Sequence, residues 1–374
     1  MRSFALVSCV LVAGSVAGFG VWRATPVFVA AKTPSAAPSR HWDVEAAADY
    51  MDSRELWWQG WPPAQKDQGT ICVSCHTVVP YAMVRPALRH ELGESGMTAP
   101  ELVMLGSVEK RVGHWSEMKP FYSEAVGVGK SMESHATEAV LNAVILASYD
   151  ARRGQLRPIT RKALDAVWAL QETTGENAGG WKWQDFHESP WEAAESGYQG
   201  AALLMVALGD LPGGYAEEPG TRERTELLRK YLRRHYAAQP MMNQLYVLWA
   251  SAKSPGLLTD SERKTLVASL QKMQQGDGGW RLSSMDKRKR LDDSPEPMES
   301  DGVATGLAVL ALERSGGGEE MLKRGLTWLE EHQGKDGNWS ASSLNERRDP
   351  KSDVGRFMND AATGYAVLAL EQAR

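Results

Sequence analysis

The sequence predicts an all-α protein in which wholly apolar inner helices are covered by an outer layer of amphipathic ones. Three observations lead there. Val303–Leu312 and Ala361–Leu370 read VATGLAVLAL and AATGYAVLAL, two near-copies of one segment. A helix that is apolar on nearly every face belongs inside a protein. Each copy follows an amphipathic segment whose charges keep to one side, Ser261–Gln274 in the first case and Glu319–His332 in the second. Between the members of each pair sits a Gly-rich signature, Gln274–Trp280 (QQGDGGW) and Gln333–Trp339 (QGKDGNW), both of the form QxxxGxW. Internal repetition of this kind is the mark of a fold assembled from stacked units, and two alternating helix types imply two layers.

The same alternation extends toward the N-terminus. Arg161–Gln171 and Thr221–Tyr236 are further amphipathic outer segments, and Gln171–Trp181 is a stretched version of the junction. Inner helices are expected to start at Glu133-Ser134-His135, Glu195-Ser196-Gly197 and Glu299-Ser300-Asp301, with Asn243–Ala250 as another member. Val78–Leu88, despite Pro80 and Pro86, supplies the first inner helix. Upstream of it, Gln65–Ile71 keeps Gln and Gly at junction spacing but carries Ile where Trp belongs. Counted this way, residues 47–374 hold about six outer–inner pairs, enough for one closed (α/α)6 toroid.

Residues 1–31 read as a targeting element. Arg2 is followed by an uncharged apolar run, Phe4–Trp22, long enough to span a bilayer and equally suited to a secretory signal. Val29-Ala30-Ala31 offers a small-residue cleavage site, and Leu6–Cys9 resembles a lipoprotein box with too little apolar sequence before it. The chain is therefore expected to be exported to the periplasm, with residues 4–22 as a signal or a membrane anchor. Residues 32–46, Pro/Ser/Ala-rich from Thr33 to Arg40, read as a linker. The net charge of -5, and a single basic cluster (Lys287–Arg290) followed at once by Asp292 and Asp293, argue against nucleic acid as a partner.

With its QxxxGxW junctions and matching inner helices, the sequence resembles the squalene-hopene cyclase and protein prenyltransferase superfamily, whose QW motifs tie barrel repeats together. The resemblance implies a terpenoid-cyclase-like barrel with a cavity for an apolar, isoprenoid-like molecule. It also implies that a cyclase of this kind would protonate its substrate from a DxDD motif at the start of an inner helix. The matching positions here read Glu299-Ser-Asp-Gly302 and Met358-Asn-Asp-Ala361, and neither is DxDD. Asp301 and Asp360, with Glu299, are the candidate catalytic acids. The competing reading of these acids, and of Glu133 and Glu195, is helix capping, because helix N-termini favour carboxylates.

The sharpest chemical motif is Cys72-Val73-Ser74-Cys75-His76. CxxCH places two thiols a turn apart to reach the two vinyl groups of a haem, with an adjacent imidazole as proximal iron ligand. Export and the scarcity of other cysteines (Cys9 alone) favour a covalent haem c at Cys72, Cys75 and His76. A Cys72–Cys75 disulfide and a zinc site completed by a carboxylate are the alternatives. Met83, His90, Met97, Met104 and His114 are candidates for the second axial position, which a vacant site would equally satisfy. Repeat alignment sets Cys75-His76 level with Glu133-Ser134, on the rim where inner helices begin. Three functions follow: electron transfer or redox chemistry with a redox partner and an apolar ligand cavity; a terpenoid cyclase or isomerase working through Asp301 or Asp360; or a non-catalytic interaction module. Whether the protein is an enzyme stays open at this point.

Overall fold

The structure, a computed structural model, describes residues 42–373 apart from positions 287, 314 and 317. The expected signal or anchor at residues 1–31 lies outside the described residues, as does most of the 32–46 segment. Among the described residues no helix is long and apolar enough to cross a membrane.

The chain runs as alternating outer and inner helices. The first pair is α1 (Val44–Gly60) and α2 (Val78–Glu91), joined through a two-stranded hairpin of β1 (Gln65–Lys66) and β2 (Thr70–Ile71). Next come α3 (Ala99–Gly113) with α4 (Lys130–Arg153), α5 (Pro158–Leu170) with α6 (Ser196–Asp210), and α7 (Pro219–His235) with α8 (Met241–Ser251). After α9 (Asp260–Met273) and the single turn α10 (Leu282–Met285) comes the inner α11 (Gly302–Glu313). The last pair is α12 (Glu319–Glu331) and α13 (Phe357–Gln372). The inner helices pack α2 on α4, α4 on α6, α6 on α8, α8 on α11, α11 on α13, and α13 back on α2. That sequence of neighbours is a closed ring: the fold is a single (α/α)6 toroid.

Local chemistry sets the helix ends. Pro158 and Pro219 open α5 and α7, where a missing N–H costs nothing. Thr259 and Glu262 form a reciprocal capping box on α9. Between α11 and α13 the backbones come so close that a Cβ on Gly306 would lie 2.6 Å from the Tyr365 carbonyl carbon, and between α13 and α2 one on Gly364 would lie 2.4 Å from Pro80 Cβ. The Thr-Gly step repeated in both inner helices is thus a packing requirement of the ring.

Three junctions share one geometry. Gln171, Gln274 and Gln333 each donate from Nε2 to a glycine carbonyl in their own turn (Gly179, Gly278, Gly337) and to a carbonyl of the next outer helix or its cap (Arg224, Met321, Asp43). The glycines have φ of +104°, +97° and +84°. In each case an added Cβ would strike the next outer segment, at Leu227, Arg324 or Ala46. Trp181, Trp280 and Trp339 then donate their indole N–H back to outer-helix carbonyls of Val167, Leu270 and Leu329. Each tryptophan is buried, and its N–H is satisfied, as a buried indole requires.

Two expectations need correction. The first junction is not a decayed copy of this geometry: Gln65 is exposed and donates to Gln59 O within its own repeat, and the segment is a hairpin turning at Gln68 (φ 54°) and Gly69 (φ 69°). The toroid also starts earlier than residue 47. Trp42 is buried against Trp339, with ring centroids 5.9 Å apart, and the main chain of Asp43 is held by Gln333. The last junction therefore closes the ring onto residues that composition alone assigns to a linker.

Candidate functional site

A chamber opens at the end of the ring where the inner helices begin. It has a volume of about 340 Å³, within the range of small-molecule sites. One wall is the Cys72–His76 turn; others come from the first turns of α4, the Gln184–Glu192 loop before α6, and Phe357 and Met358 at the start of α13. Trp58, Trp61, Phe121, Trp191 and Phe357 give the chamber aromatic faces, set among polar side chains such as Ser134, Gln184 and Arg348.

The CxxCH turn is placed by its flanks. Cys72 N–H donates to Ala64 O at 2.8 Å, and Trp58 Nε1 donates to Cys72 O at 2.8 Å. Ser74 Oγ accepts from Thr77 N and Val78 N, so the second x of the motif caps α2. Neither cysteine is in a disulfide. Burial pushes the Cys72 thiol up to about 12, and burial with Glu192 nearby pushes Cys75 up as well, so both are thiols at neutral pH.

His76 is wedged among rings: it stacks on Phe357 at 4.0 Å between centroids and meets Trp58 edge-on at 5.3 Å. Burial, then the positive charges of Arg54 and Arg348, lower it to about 3. The imidazole is therefore neutral, the form in which histidine binds metal. Its Nδ1 lies 2.8 Å from Thr77 Oγ1, and that hydroxyl donates to Asp360 Oδ2 at 2.7 Å.

The candidate acids are dispersed. Asp360 is buried behind His76, where it accepts from Tyr50 (2.8 Å), Arg54 Nε (2.7 Å), Arg54 Nη2 (3.1 Å) and Thr77. Burial holds its carboxyl above the ordinary carboxylate range, although Arg54, then Thr77 and Tyr50, favour the charged form. Asp301 sits at the start of α11, accepting from Ala304 N at 2.9 Å and Leu282 N at 2.5 Å. Burial lifts its carboxyl to about 6. It faces a separate recess of about 190 Å³ shared with Glu299 and Ser300, away from the chamber. Thus Cys72, Cys75 and His76 come together, whereas Asp301, Glu299 and Asp360 do not join them on the chamber wall.

None of the candidate second ligands lines the chamber. Met83 faces a different cavity lined by later parts of α4, α6 and α13. Met104 is buried in α3, and His114 is exposed beside Glu117. His90 is in the last turn of α2 and Met97 lies beyond it, before α3. The thioether that does line the chamber is Met358. Aligning Val303 with Ala361 sets it level with Ser300, at the mouth of the last inner helix. Among the described residues no three His, Cys, Asp or Glu side chains converge as a metal site.

Sequence reasoning also missed Glu192. Burial, and then the Glu188 carboxylate, lift it to about 7. Gln184, 3% exposed on the same wall, has both amide atoms without a partner.

Ring closure and the aromatic chamber at its mouth define a class, the single-barrel all-α toroid. Residues 243–371 match the family profile of the squalene-hopene cyclase C-terminal domain. That stretch covers α8 to α13 and both QxxxGxW junctions, and it excludes the CxxCH turn. No curated protein sequence matches the chain.

Proposed function

We propose that the protein is an exported toroid that carries one covalent haem c at the mouth of its barrel and uses it for electron transfer. The observation that carries this reading is convergence: Cys72, Cys75, His76 and Met358 all line one aromatic chamber. The donor set fits the group. Two unpaired thiols stand beside a neutral imidazole whose Nδ1 is already engaged. Each thiol would add S–H across one vinyl C=C, sulfur to one carbon and hydrogen to the other, so no atom or electron is left over. His76 would hold the iron, and Met358 is a candidate to share that role. Bound haem supplies one-electron chemistry. The rings of Trp58, Trp61, Trp191 and Phe357 would exclude water from it, a lever that raises reduction potentials. Arg348, Asn345 and Ser343 form a polar side suited to carboxylate groups. Residues 4–22 would keep the chain at the outer face of the cytoplasmic membrane.

The test is absorption and intact mass on chain matured in a periplasm that attaches haem. A Soret band, a pyridine haemochrome and the mass of one haem are expected, all abolished in a Cys72→Ser, Cys75→Ser variant. A matured wild-type chain without them overturns the reading.

A second reading is favoured by the match of residues 243–371 and by Glu192: a terpenoid cyclase or isomerase in the same chamber. A carboxyl lifted to about 7 is a competent proton donor near neutrality, and aromatic walls stabilise a developing cation. Product formation from a polyprene by the haem-free chain, lost in Glu192→Gln and kept in Asp301→Asn, would replace the first reading with this one.

A further inference from the structure

We propose that Asp360, acting through Thr77, holds His76 in the Nδ1–H tautomer and leaves Nε2 as the lone-pair nitrogen. The argument is an accounting of hydrogens. Asp360 Oδ1 receives Tyr50 Oη–H and Arg54 Nε–H, and Oδ2 receives Arg54 Nη2–H and Thr77 Oγ1–H. Four donors, two of them from one guanidinium, leave the carboxylate no role but acceptor. Thr77 has a single hydroxyl hydrogen, and it points at Asp360. Toward His76, 2.8 Å away, the hydroxyl can offer only a lone pair, so Nδ1 must carry the proton.

Three separate parts of the fold meet in this relay. Arg54 and Tyr50 come from α1, Thr77 is the residue before α2, and Asp360 lies in the first turn of α13. A second link, Arg54 Nη1 to Asp353 Oδ1 at 3.0 Å, anchors the guanidinium from outside. Asp360 is therefore a positioning residue. Partners of this kind fix the tautomer and orientation of a histidine and raise its basicity as a ligand. The use of that lone pair for iron rests on the haem reading; the tautomer itself does not.

The experiment reads the tautomer directly, by ¹⁵N chemical shifts of His76 in the full chain made in the cytoplasm, where no haem is attached. Wild type should show a pyrrole-type Nδ1 and a pyridine-type Nε2, although histidine in water favours the reverse. Thr77→Val removes the acceptor and should shift the tautomer ratio about fivefold or more toward Nε2–H, the equivalent of one hydrogen bond. Thr77→Ser should restore the wild-type pattern. Thr77 makes no side-chain cap to α2, so the Val variant keeps the helix start. In haem-bearing chain the same pair should lower and then restore the iron–imidazole stretch seen by resonance Raman. Wild type in the Nε2–H form, or a ratio unmoved by Thr77→Val, overturns the inference. A matured chain without a Soret band sinks the haem reading and leaves the tautomer result standing.

Discussion

The first junction of the ring and the last do the same topological job with opposite chemistry. At residues 333–339 a tryptophan in the junction reaches back to its outer helix, Trp339 Nε1 to Leu329 O, and the junction is filled by indole. At residues 65–77 the tryptophan sits on the outer helix and reaches forward, Trp58 Nε1 to Cys72 O. Reversing the direction of that one hydrogen bond empties the junction of its wedge. The freed backbone then lines a chamber, and that is where the two cysteines and the histidine stand. Packing at one junction and chemistry at the other are alternative uses of the same place in the repeat.

Several substitutions would break or sharpen that contrast. The largest effect is expected at the wedge: Trp339→Ala should cost about 3–5 kcal/mol of stability, the range for a fully buried large aromatic. Ile71→Ala, at the equivalent place in the first repeat, should cost clearly less, because Ile71 is smaller and lies at the edge of burial (9% exposed). Equal losses in denaturant titration would mean that the hairpin carries as much of the ring as the QxxxGxW turn. Next in size, Gln333→Ala removes donors to Asp43 O and Gly337 O and the acceptor for Asp43 N, and should cost roughly 1–3 kcal/mol. Gln65→Ala, exposed and bonded only within its repeat, should stay within about 0.5 kcal/mol. A large loss at Gln65 would restore the idea of a shared junction geometry. Trp58→Phe keeps the ring and deletes the forward hydrogen bond, and should cost on the order of 1 kcal/mol.

The smallest effect concerns pH. Glu192 ionises in the folded chain at about 7, above the usual carboxylate range near 4.3. Between those values the folded state holds more protons than the unfolded one, so this group's contribution is full below about 4.3 and is lost as pH rises to about 7. Glu192→Gln should flatten that part of the Tm-against-pH curve. A curve of unchanged slope would show that Glu192 is solvated like any surface acid.

The inner helices were legible because burial on all sides leaves a run such as VATGLAVLAL without a charged face, and the QxxxGxW turns because left-handed glycine and a buried indole recur at fixed spacing. The chemical residues were legible in part. Cys72, Cys75 and His76 are adjacent in the chain, so local spacing suffices to group them. Met358 and Glu192 are joined to them only by ring closure and by a loop from the third pair. With Val303 aligned on Ala361, the repeat partner of Asp301 is Asn359, and both accept a backbone N–H from the preceding junction (Leu282, Ala341), whereas Asp360, level with Gly302, binds Arg54 across the ring seam.

By itself the sequence determined the helix alternation, the two-layer class and the thiol–imidazole cluster, because each depends on residues within one or two turns of one another. Tertiary structure decided where the ring closes, that Trp42 and Asp43 belong to it, and which side chains share the chamber. It also decided that Asp360 faces Thr77 rather than the chamber. The physical reason is that closing the ring brings α13 against α1 and α2, elements from opposite ends of the chain. No periodicity along the sequence reports a contact of that span.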